Sequence, residues 1–472
     1  MRPAARGAIP FPAMALEVND VHSRLNPTRV AEVRPVASLQ ELREAVREGR
    51  GRGVALAGGR HAMGGQQFLT GGLVLDLRPL DAVLDFDDER GLLTVGAGAQ
   101  WPAIIAAVRE RSEGWAIRQK QTGADDLTLG GSLAANAHGR GLGMGPLVED
   151  VESLRLVDAD GMVLQCSRRR HPELFALVVG GYGLFGAVHD VTLRLAPRRK
   201  LRRVVDIIDL DDAINAALRR FEEGCLYGDF QYAIDERDEG FLRRGVLACY
   251  KPVADDAEVS GGGSDLGRDD WLALLELAHR DKRAAFQRYS EHYLASHGRV
   301  YWSDTMQLST YIPSYAEFLA AAQGKERADE SLMITELYVP PGRLAAFMAT
   351  ARRVLRESGI ENIYGTIRAI RADGTTFLPW AREDFACIIF NLRTRHDGEG
   401  IARSRRAAGA LIDAAAAEGG SFFLTYHRWA TREQVARCHP RFEAFLAKKL
   451  DYDPGEVFQS DWYRHHRSLF GG

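Results

Sequence analysis

Five adjacent glycine pairs in the first 190 residues constrain the fold of this chain more than any other sequence feature. Short strand-like runs lie among them, such as VLDL at 74–77 and GAVHDVTLRLA at 186–196. Because glycine has no Cβ atom, successive backbone N–H groups at such turns can point into one concavity and hold an anion. Strands alternating with helical patterns, such as SLQELREAVREG at 38–49, predict an α+β domain that ends near Pro197.

At 472 residues the chain is longer than one hydrophobic core usually supports, so we expect two or more domains. Longer helical patterns appear at 271–298 and 342–359. Strand patterns among them lie at 229–235, 245–251, 330–340 and 385–393. The C-terminal part predicts a strand at 421–429 and an amphipathic helix at 432–450.

Composition excludes several classes of function. A net charge of −3 gives no basic surplus for binding nucleic acid. The five cysteines are scattered without metal-ligand spacing, so neither a disulfide framework nor a metal site is expected. No run approaches the ~18 apolar residues that span a bilayer, and no signal-like apolar segment opens the chain. We therefore expect a cytoplasmic enzyme without a membrane span.

The first glycine cluster follows a strand pattern and surrounds a histidine. It reads Gly58, Gly59, Arg60, His61, Ala62, Met63, Gly64, Gly65, Gln66. Such a turn can cradle a diphosphate, and an imidazole at its centre can reach a bound cofactor. The alternative is a tight connection with an incidental surface histidine.

The second cluster comprises Thr122 and Gly123, followed by small residues at 130–141. Within it, Gly130, Gly131 and Gly139 let a ligand approach the backbone, and four side chains offer hydrogen bonds or positive charge: Ser132, Asn136, His138 and Arg140. The same Gly-Ser-Leu-Ala-Ala pattern is also typical of a closely packed small-residue helix.

The third cluster contains the spacing Gly181-x-Gly183-x-x-Gly186. A dinucleotide-binding Rossmann turn needs a helix after the last glycine. Here Ala187 and Val188 begin a strand pattern instead, so we reject NAD.

In this order, GGRHAMGGQ, LTLGGSLAANAHGRG and GGYGLFGAV resemble the nucleotide-contacting segments of FAD-linked oxidases of the vanillyl-alcohol-oxidase type. That superfamily includes cytokinin dehydrogenases, aldonolactone and alditol oxidases, and decaprenylphosphoryl-ribose oxidases. The resemblance covers 25–197 and returns at 439–464. It implies a two-subdomain PCMH-type FAD-binding domain at 1–200, an α+β substrate-binding cap domain at 201–420, and a C-terminal segment at 421–472 that returns to the FAD domain.

The resemblance also implies how FAD is held. His61 occupies the place of a histidine that some members bond covalently to the flavin, which requires a neutral imidazole. No cysteine lies between 120 and 145, so a single attachment is expected. The other cofactor contacts fall on Gly58, Gly59, Arg60, Ala62, Met63, Gly64, Gln66, Thr122, Gly123, Gly130, Gly131, Ser132, Asn136, His138, Gly139, Gly181, Gly183, Gly186 and Val188.

Substrate-facing residues are implied by two further segments. GTIRAIRADGTTFLPW at 365–380 resembles an alditol-oxidase segment with a Glu-x-Arg pair; Arg368 keeps the arginine and Thr366 replaces the glutamate. Arg368 can stabilise negative charge on a reduced ring. Tyr426 and His427 are candidate bases, and because strand side chains alternate, one of them should point away. Further polar candidates are Gln307, Tyr311, Glu336 and Arg371.

The leading hypothesis is hydride transfer from a CH–OH group of a sugar, alditol or related alcohol to flavin N5, with dioxygen or another acceptor reoxidising the cofactor. One alternative is oxidation of a CH–NH bond, as in cytokinin dehydrogenases, for which no acidic base is evident in the sequence. Another is a flavin-binding protein without catalysis. The sequence leaves the oligomeric state open.

Overall fold

The computed structural model describes residues 16–260, 266–308, 315, 318, 319 and 329–471. The helices of this part are α1 Leu39–Glu48, α2 Trp101–Arg111, α3 Leu129–Ala135, α4 Pro172–Val178, α5 Leu210–Glu222, α6 Arg268–Arg280, α7 Lys282–Ala295, α8 Leu344–Ser358, α9 Gly398–Ala417, α10 Arg432–Cys438, α11 Phe442–Tyr452 and α12 Asp461–Leu469. Together with the strands, they confirm the predicted α+β class.

Three sheets form the N-terminal part of the fold. A two-stranded sheet pairs β1 Leu16–Val18 with β2 Thr28–Val30. A parallel sheet has the order β3-β5-β4, from β3 Glu32–Pro35, β4 Val54–Ala57 and β5 Leu73–Asp76. A six-stranded antiparallel sheet has the order β10-β9-β11-β7-β6, with β8 also on β11; its strands are β6 Val83–Asp87, β7 Leu92–Gly96, β8 Trp115–Ile117, β9 Val151–Val157, β10 Val163–Ser167 and β11 Ala187–Pro197.

Eight strands from the later part of the chain form one antiparallel sheet. Its order is β15-β12-β14-β13-β17-β18-β16-β19. The strands are β12 Lys200–Asp209, β13 Tyr227–Tyr232, β14 Arg244–Pro252, β15 Val300–Trp302, β16 Glu330–Val339, β17 Asn362–Ile370, β18 Phe385–Arg395 and β19 Ser421–Phe422. The four strand patterns predicted between 229 and 393 are confirmed as β13, β14, β16 and β18.

Local sequence signals explain several element boundaries. Ser38 caps α1, where its hydroxyl accepts a hydrogen bond from the backbone N–H of Glu41. The Glu41 carboxylate accepts from the backbone N–H of Ala37 rather than from that of Ser38, so a Ser38–Glu41 capping box is only half formed. The Asp160-Gly161 turn joins β9 to β10 as an antiparallel hairpin, with Gly161 at φ 75°.

Three predictions were wrong in detail. The helical pattern at 271–298 forms two helices, because Asp281 leaves the helical conformation and caps α7 through the backbone N–H of Ala284. The pattern at 432–450 likewise breaks at His439-Pro440, before α11. The predicted strand at 421–429 is a strand only at Ser421–Phe422; the remainder is irregular.

The C-terminal segment lies against the N-terminal parallel sheet. The backbone N–H of Val54 donates to the carbonyl of Val457 at 2.7 Å, and Gln459 donates back to Val54 at 2.9 Å. Asp461, at the start of α12, donates from its backbone to Phe68 at 2.8 Å. These bonds connect the first and last parts of the chain. The domain boundaries at 200 and 420 stay a prediction.

Candidate functional site

A cavity of about 520 Å³ lies where the three glycine-rich clusters meet. We call it the main cavity; its wall comprises parts of 56–62, 121–137 and 182–188, with residues of β16–β18 and 423–426 at one side. Small-molecule sites commonly have volumes of ~300–1,000 Å³. The clusters are far apart in sequence, so only the fold brings them together.

The structure brings most of the predicted site residues to this wall. Those that line the main cavity are Gly58, Gly59, Arg60, His61, Ala62, Gln66, Thr122, Gly123, Gly130, Gly131, Ser132, Gly183, Gly186, Val188, Arg368 and Tyr426. Seven others lie behind the wall in the described structure: Met63, Gly64, Asn136, His138, Gly139, Gly181 and His427. Arg371 is half-exposed and paired with Asp384 at 2.9 Å, away from the cavity. Tyr311 lies outside the described residues.

The second cluster forms the short helix α3, as the small-residue alternative expected, and its first turn still faces the cavity. Thr128 caps α3 by accepting from the backbone N–H of Gly131 at 3.2 Å. Gly58 packs against this cap: a Cβ atom there would lie 2.1 Å from Thr128 Oγ1. The first two clusters therefore need glycine at 58 to meet. Asn136 ends the helix at φ 49° and turns its amide to Asp373 at 2.9 Å, away from the cavity.

His61 is partly buried in the cavity wall. Its Nδ1 lies 2.8 Å from Nε2 of His22, which lines the same cavity. Burial, followed by the proximity of His22, lowers the pKa of His61 to about 3, and burial lowers the pKa of His22 to about 4. The His61 imidazole is therefore neutral near pH 7.

Three polar atoms of wall residues are buried and have no hydrogen-bond partner among the described residues: Gln121 Oε1, Thr122 Oγ1 and Arg368 Nε. A buried polar atom without a partner costs about 1–3 kcal/mol. Such atoms indicate that the cavity receives a polar ligand. A glycine-lined volume with unpartnered donors and acceptors fits a flavin nucleotide.

Glu336 is a buried acidic residue behind Tyr426. It lies on β16 and is 1% exposed. Its Oε2 accepts from the Tyr426 hydroxyl at 3.0 Å, and its Oε1 accepts from the Tyr338 hydroxyl and faces His138 Nε2 at 2.8 Å. Since Tyr426 lines the main cavity, it connects the cavity to this buried carboxylate. One sequence signal marked Glu336, a lone acid inside the apolar strand SLMITELYV.

The protonation of this network follows from its contacts. Burial alone would raise the pKa of Glu336, but His138 and the Tyr338 hydrogen bond reverse the shift and lower it. His138 Nδ1 faces the Gly139 carbonyl at 2.9 Å, so both ring nitrogens of His138 lie beside an oxygen atom. Burial and the Glu336 charge raise the pKa of Tyr426 well above its usual range, so its hydroxyl stays protonated.

Cys387 Sγ lies 3.7 Å from His138 Nε2, and the ligand-type atoms of His138, Glu336 and Cys387 lie within 4.8 Å of one another. This spacing is short enough for a metal ion. However, both Glu336 oxygens already accept tyrosine hydroxyls. We interpret the cluster as a hydrogen-bonded network.

Of the two neighbouring base candidates, only Tyr426 faces the cavity. His427 is buried on the other side, where its ring stacks on Trp429 at 4.8 Å and its Nε2 lies 3.4 Å from Thr335 Oγ1. Burial lowers the pKa of His427 to about 4. One of the pair points away, as predicted, although the segment is not a strand.

A second chamber of about 440 Å³ adjoins the main cavity. We call it the side chamber; both volumes share wall residues, including Thr122, Tyr364, Thr366 and Arg368. Thr366 Oγ1 donates to Asp229 Oδ2 at 3.2 Å, so the position that replaces the expected glutamate contacts a carboxylate from β13. The side chamber also contains Gln307, whose amide is satisfied by backbone carbonyls.

Residues 30–167 match the family model described as FAD binding domain. The chain contains an FAD-binding domain. The resemblance drawn from the three glycine clusters is thereby confirmed, and the match includes the whole of the first two clusters. The third cluster, at 180–188, lies beyond the matched range and contributes to the same cavity wall as the FAD-binding domain.

Three curated proteins similar to this chain are an oxidoreductase, an oxidase and a dehydrogenase by name. An uncharacterized oxidoreductase of the fasciation locus of Rhodococcoides fascians is 33% identical over 38% of this chain and 39% of its own length. L-gulonolactone oxidase of Mus musculus is 28% identical over 36% of this chain and 37% of its own length. Cytokinin dehydrogenase 2 of Arabidopsis thaliana is 31% identical over 31% of this chain and 29% of its own length. Each alignment thus spans well under half of the relative.

No helix in the described ranges is both long enough and apolar enough to cross a membrane.

Proposed function

We propose that this chain is an FAD-dependent oxidoreductase that oxidises a CH–OH group of a small polar molecule such as a sugar or alditol. One observation carries the proposal: a single cavity joins the glycine-rich wall of the FAD-binding domain to Arg368 and Tyr426. The names of the relatives support an oxidoreductase, and a lactone oxidase is among them.

The residues that would hold FAD are the cavity-lining members of the three clusters. Backbone N–H groups at 58–62 suit the diphosphate, because a glycine-rich turn can point successive donors into one concavity. The first turn of α3 also lines the cavity, but its N–H groups are already paired: Gly130 donates to the Ala97 carbonyl at 2.7 Å and Gly131 to Thr128 Oγ1 at 3.2 Å. His61 would bond covalently to the flavin, since its buried imidazole is neutral and lies in the wall. When bound, the flavin supplies a two-electron acceptor for hydride.

Tyr426 and Glu336 would remove the substrate hydroxyl proton. The Tyr426 oxygen accepts that proton while its own proton passes to Glu336 Oε2, 3.0 Å away. Tyr426 cannot act alone because its raised pKa keeps the hydroxyl protonated, so the carboxylate behind it is required to take that proton. His138 positions Glu336 through its 2.8 Å contact. Arg368 Nε, which has no partner among the described residues, would contact the ligand in the cavity.

Oxidation of a CH–NH bond is the second candidate. It is favoured by Asp229, an acidic wall residue of the side chamber that contacts Thr366, and by the similarity to a cytokinin dehydrogenase. A neutral amine could give up its proton to such a carboxylate.

Spectroscopy of the purified protein tests both candidates. We expect a yellow protein whose flavin bleaches anaerobically with an alditol, sugar or aldonolactone and not with amines; bleaching by amines alone would favour the second candidate. Reoxidation by air or only by a dye separates an oxidase from a dehydrogenase. A protein that binds flavin and is bleached by neither panel would contradict catalysis.

Denaturation tests the covalent bond. Flavin should precipitate with the wild-type chain and remain in solution after denaturation of His61→Ala. Replacement of the adjacent His22 by Ala is the matched control, which should retain the bond. Release of flavin from the denatured wild-type chain would exclude attachment at His61.

A further inference from the structure

The side chamber has an excess of positive charge. Three guanidinium groups line it, from Arg140, Arg203 and Arg368, whereas Asp229 is the one carboxylate in its described wall. Arginine remains protonated in proteins, so the difference is a formal charge of +2. Aromatic side chains supply much of the remaining surface, including Tyr250, Tyr289 and Tyr293.

Asp229 neutralises only part of this charge. Its Oδ1 lies 3.6 Å from Nη1 of Arg140, and its Oδ2 accepts from Thr366. Arg140 donates from Nη2 to the Met306 carbonyl at 2.6 Å, and its Nε has no hydrogen-bond partner among the described residues. A donor therefore remains on Arg140 after its ion pair is formed.

The other two guanidiniums have no carboxylate within 4 Å in the described ranges. Arg203 is 9% exposed and is held by tyrosine rings, with its Cζ 4.5 Å from the centre of Tyr301, and by Ser296. Arg368 is 7% exposed; Nη1 donates to the Gly139 carbonyl at 3.3 Å, and Nε has no partner in that part of the chain. The charge of Arg368 also helps to lower the pKa of the buried Glu336 carboxylate, although the two form no ion pair within 4 Å in the described structure. Burying a charge without a directly paired counter-ion is costly.

We propose that the side chamber binds the carboxylate of an acidic substrate, whose apolar or aromatic body packs against the tyrosines. A carboxylate matches the planar guanidinium and forms charge-assisted hydrogen bonds with it. Because the side chamber shares Thr366 and Arg368 with the wall of the main cavity, a ligand anchored there lies next to the volume that Tyr426 lines. The inference rests on the proposed function only in calling this ligand the substrate. Together with that function, it means that the oxidised alcohol also carries a carboxylate group.

Equilibrium binding tests the charge requirement without turnover. Phenylacetate and its neutral counterpart phenylacetamide have nearly the same shape, and neither contains an oxidisable CH–OH group. Calorimetric titration of the purified full chain should show phenylacetate binding at least about tenfold more tightly, because only the anion gains charge-assisted bonds. Acetate should bind more weakly than phenylacetate, since it lacks the aromatic body. Equal affinity for phenylacetate and phenylacetamide would overturn the proposal.

Two variants locate the site. Arg140→Gln should reduce the preference for phenylacetate over phenylacetamide to within about threefold, whereas Arg140→Lys should retain part of it. Arg371→Gln is the control, because Arg371 pairs with Asp384 outside the chamber and its loss should change neither affinity. An unchanged preference in a folded Arg140→Gln protein would refute the assignment. The flavin absorbance of the same samples reports the proposed function separately.

Discussion

Replacing Glu336 tests whether the buried network is built around this carboxylate. Glu336→Leu removes the acceptor of three groups: Tyr338, Tyr426 and His138. The Tyr426 hydroxyl can turn into the cavity, but Tyr338 is 0% exposed and His138 is 2% exposed, so both lose their partner without access to water. Each buried orphan costs about 1–3 kcal/mol, so the free energy of unfolding should fall by about 2–6 kcal/mol. Glu336→Gln keeps one carbonyl oxygen and should lose less.

Urea unfolding followed by circular dichroism measures this change, provided the slope of the transition is the same in each variant. Exposed Glu89 supplies the control, and Glu89→Gln should leave the midpoint unchanged. Glu336→Gln should also lower the turnover rate while flavin content stays constant, because the amide cannot accept the proton passed on by Tyr426. If Glu336→Leu is as stable as the wild type, the described network does not hold the site together.

Three further predictions follow from the geometry. Tyr426→Phe should lower kcat by about 100-fold or more without loss of flavin, whereas Tyr452→Phe on the surface should leave kcat unchanged. A normal kcat in Tyr426→Phe would exclude the proposed proton path. Gly58→Ala should reduce flavin uptake and destabilise the fold by about 1–3 kcal/mol, because its Cβ meets the Thr128 hydroxyl at 2.1 Å; Gly342→Ala, with open space around it, is the control. Burial lowers the pKa values of His427, His439 and His466 in the folded protein to about 4, 3 and 3. The unfolded chain, with ordinary values near 6.5, therefore binds more protons as the pH drops from 6.5 toward 4, and the free energy of unfolding should fall by about 1.4 kcal/mol per pH unit for each of these histidines. Urea midpoints that do not change with pH would contradict this.

Much of the glycine-rich wall of the main cavity was predictable because its backbone preferences are local. Gly58, His61 and Gly183 signal a sharp turn or a close backbone approach from sequence alone. His138 and Asn136 belong to the same cluster but do not line the cavity in the described structure. Asn136 ends α3 at φ 49° and turns its amide to Asp373, and His138, beyond the end of the helix, faces Glu336. Which side of a short helix faces a cavity depends on its neighbours, and the sequence does not contain that information locally.

The sequence by itself determined the α+β class, the hairpin at Asp160-Gly161 and the glycine turns, since each depends on backbone preferences over a few residues. Only the tertiary structure decided which polar groups share a volume. Glu336 and Tyr426 are ninety residues apart, and Arg140 and Arg368 are farther apart still, so their proximity arises from sheet order and packing. Charge and proton chemistry act over a few ångströms of space, and the fold sets those distances.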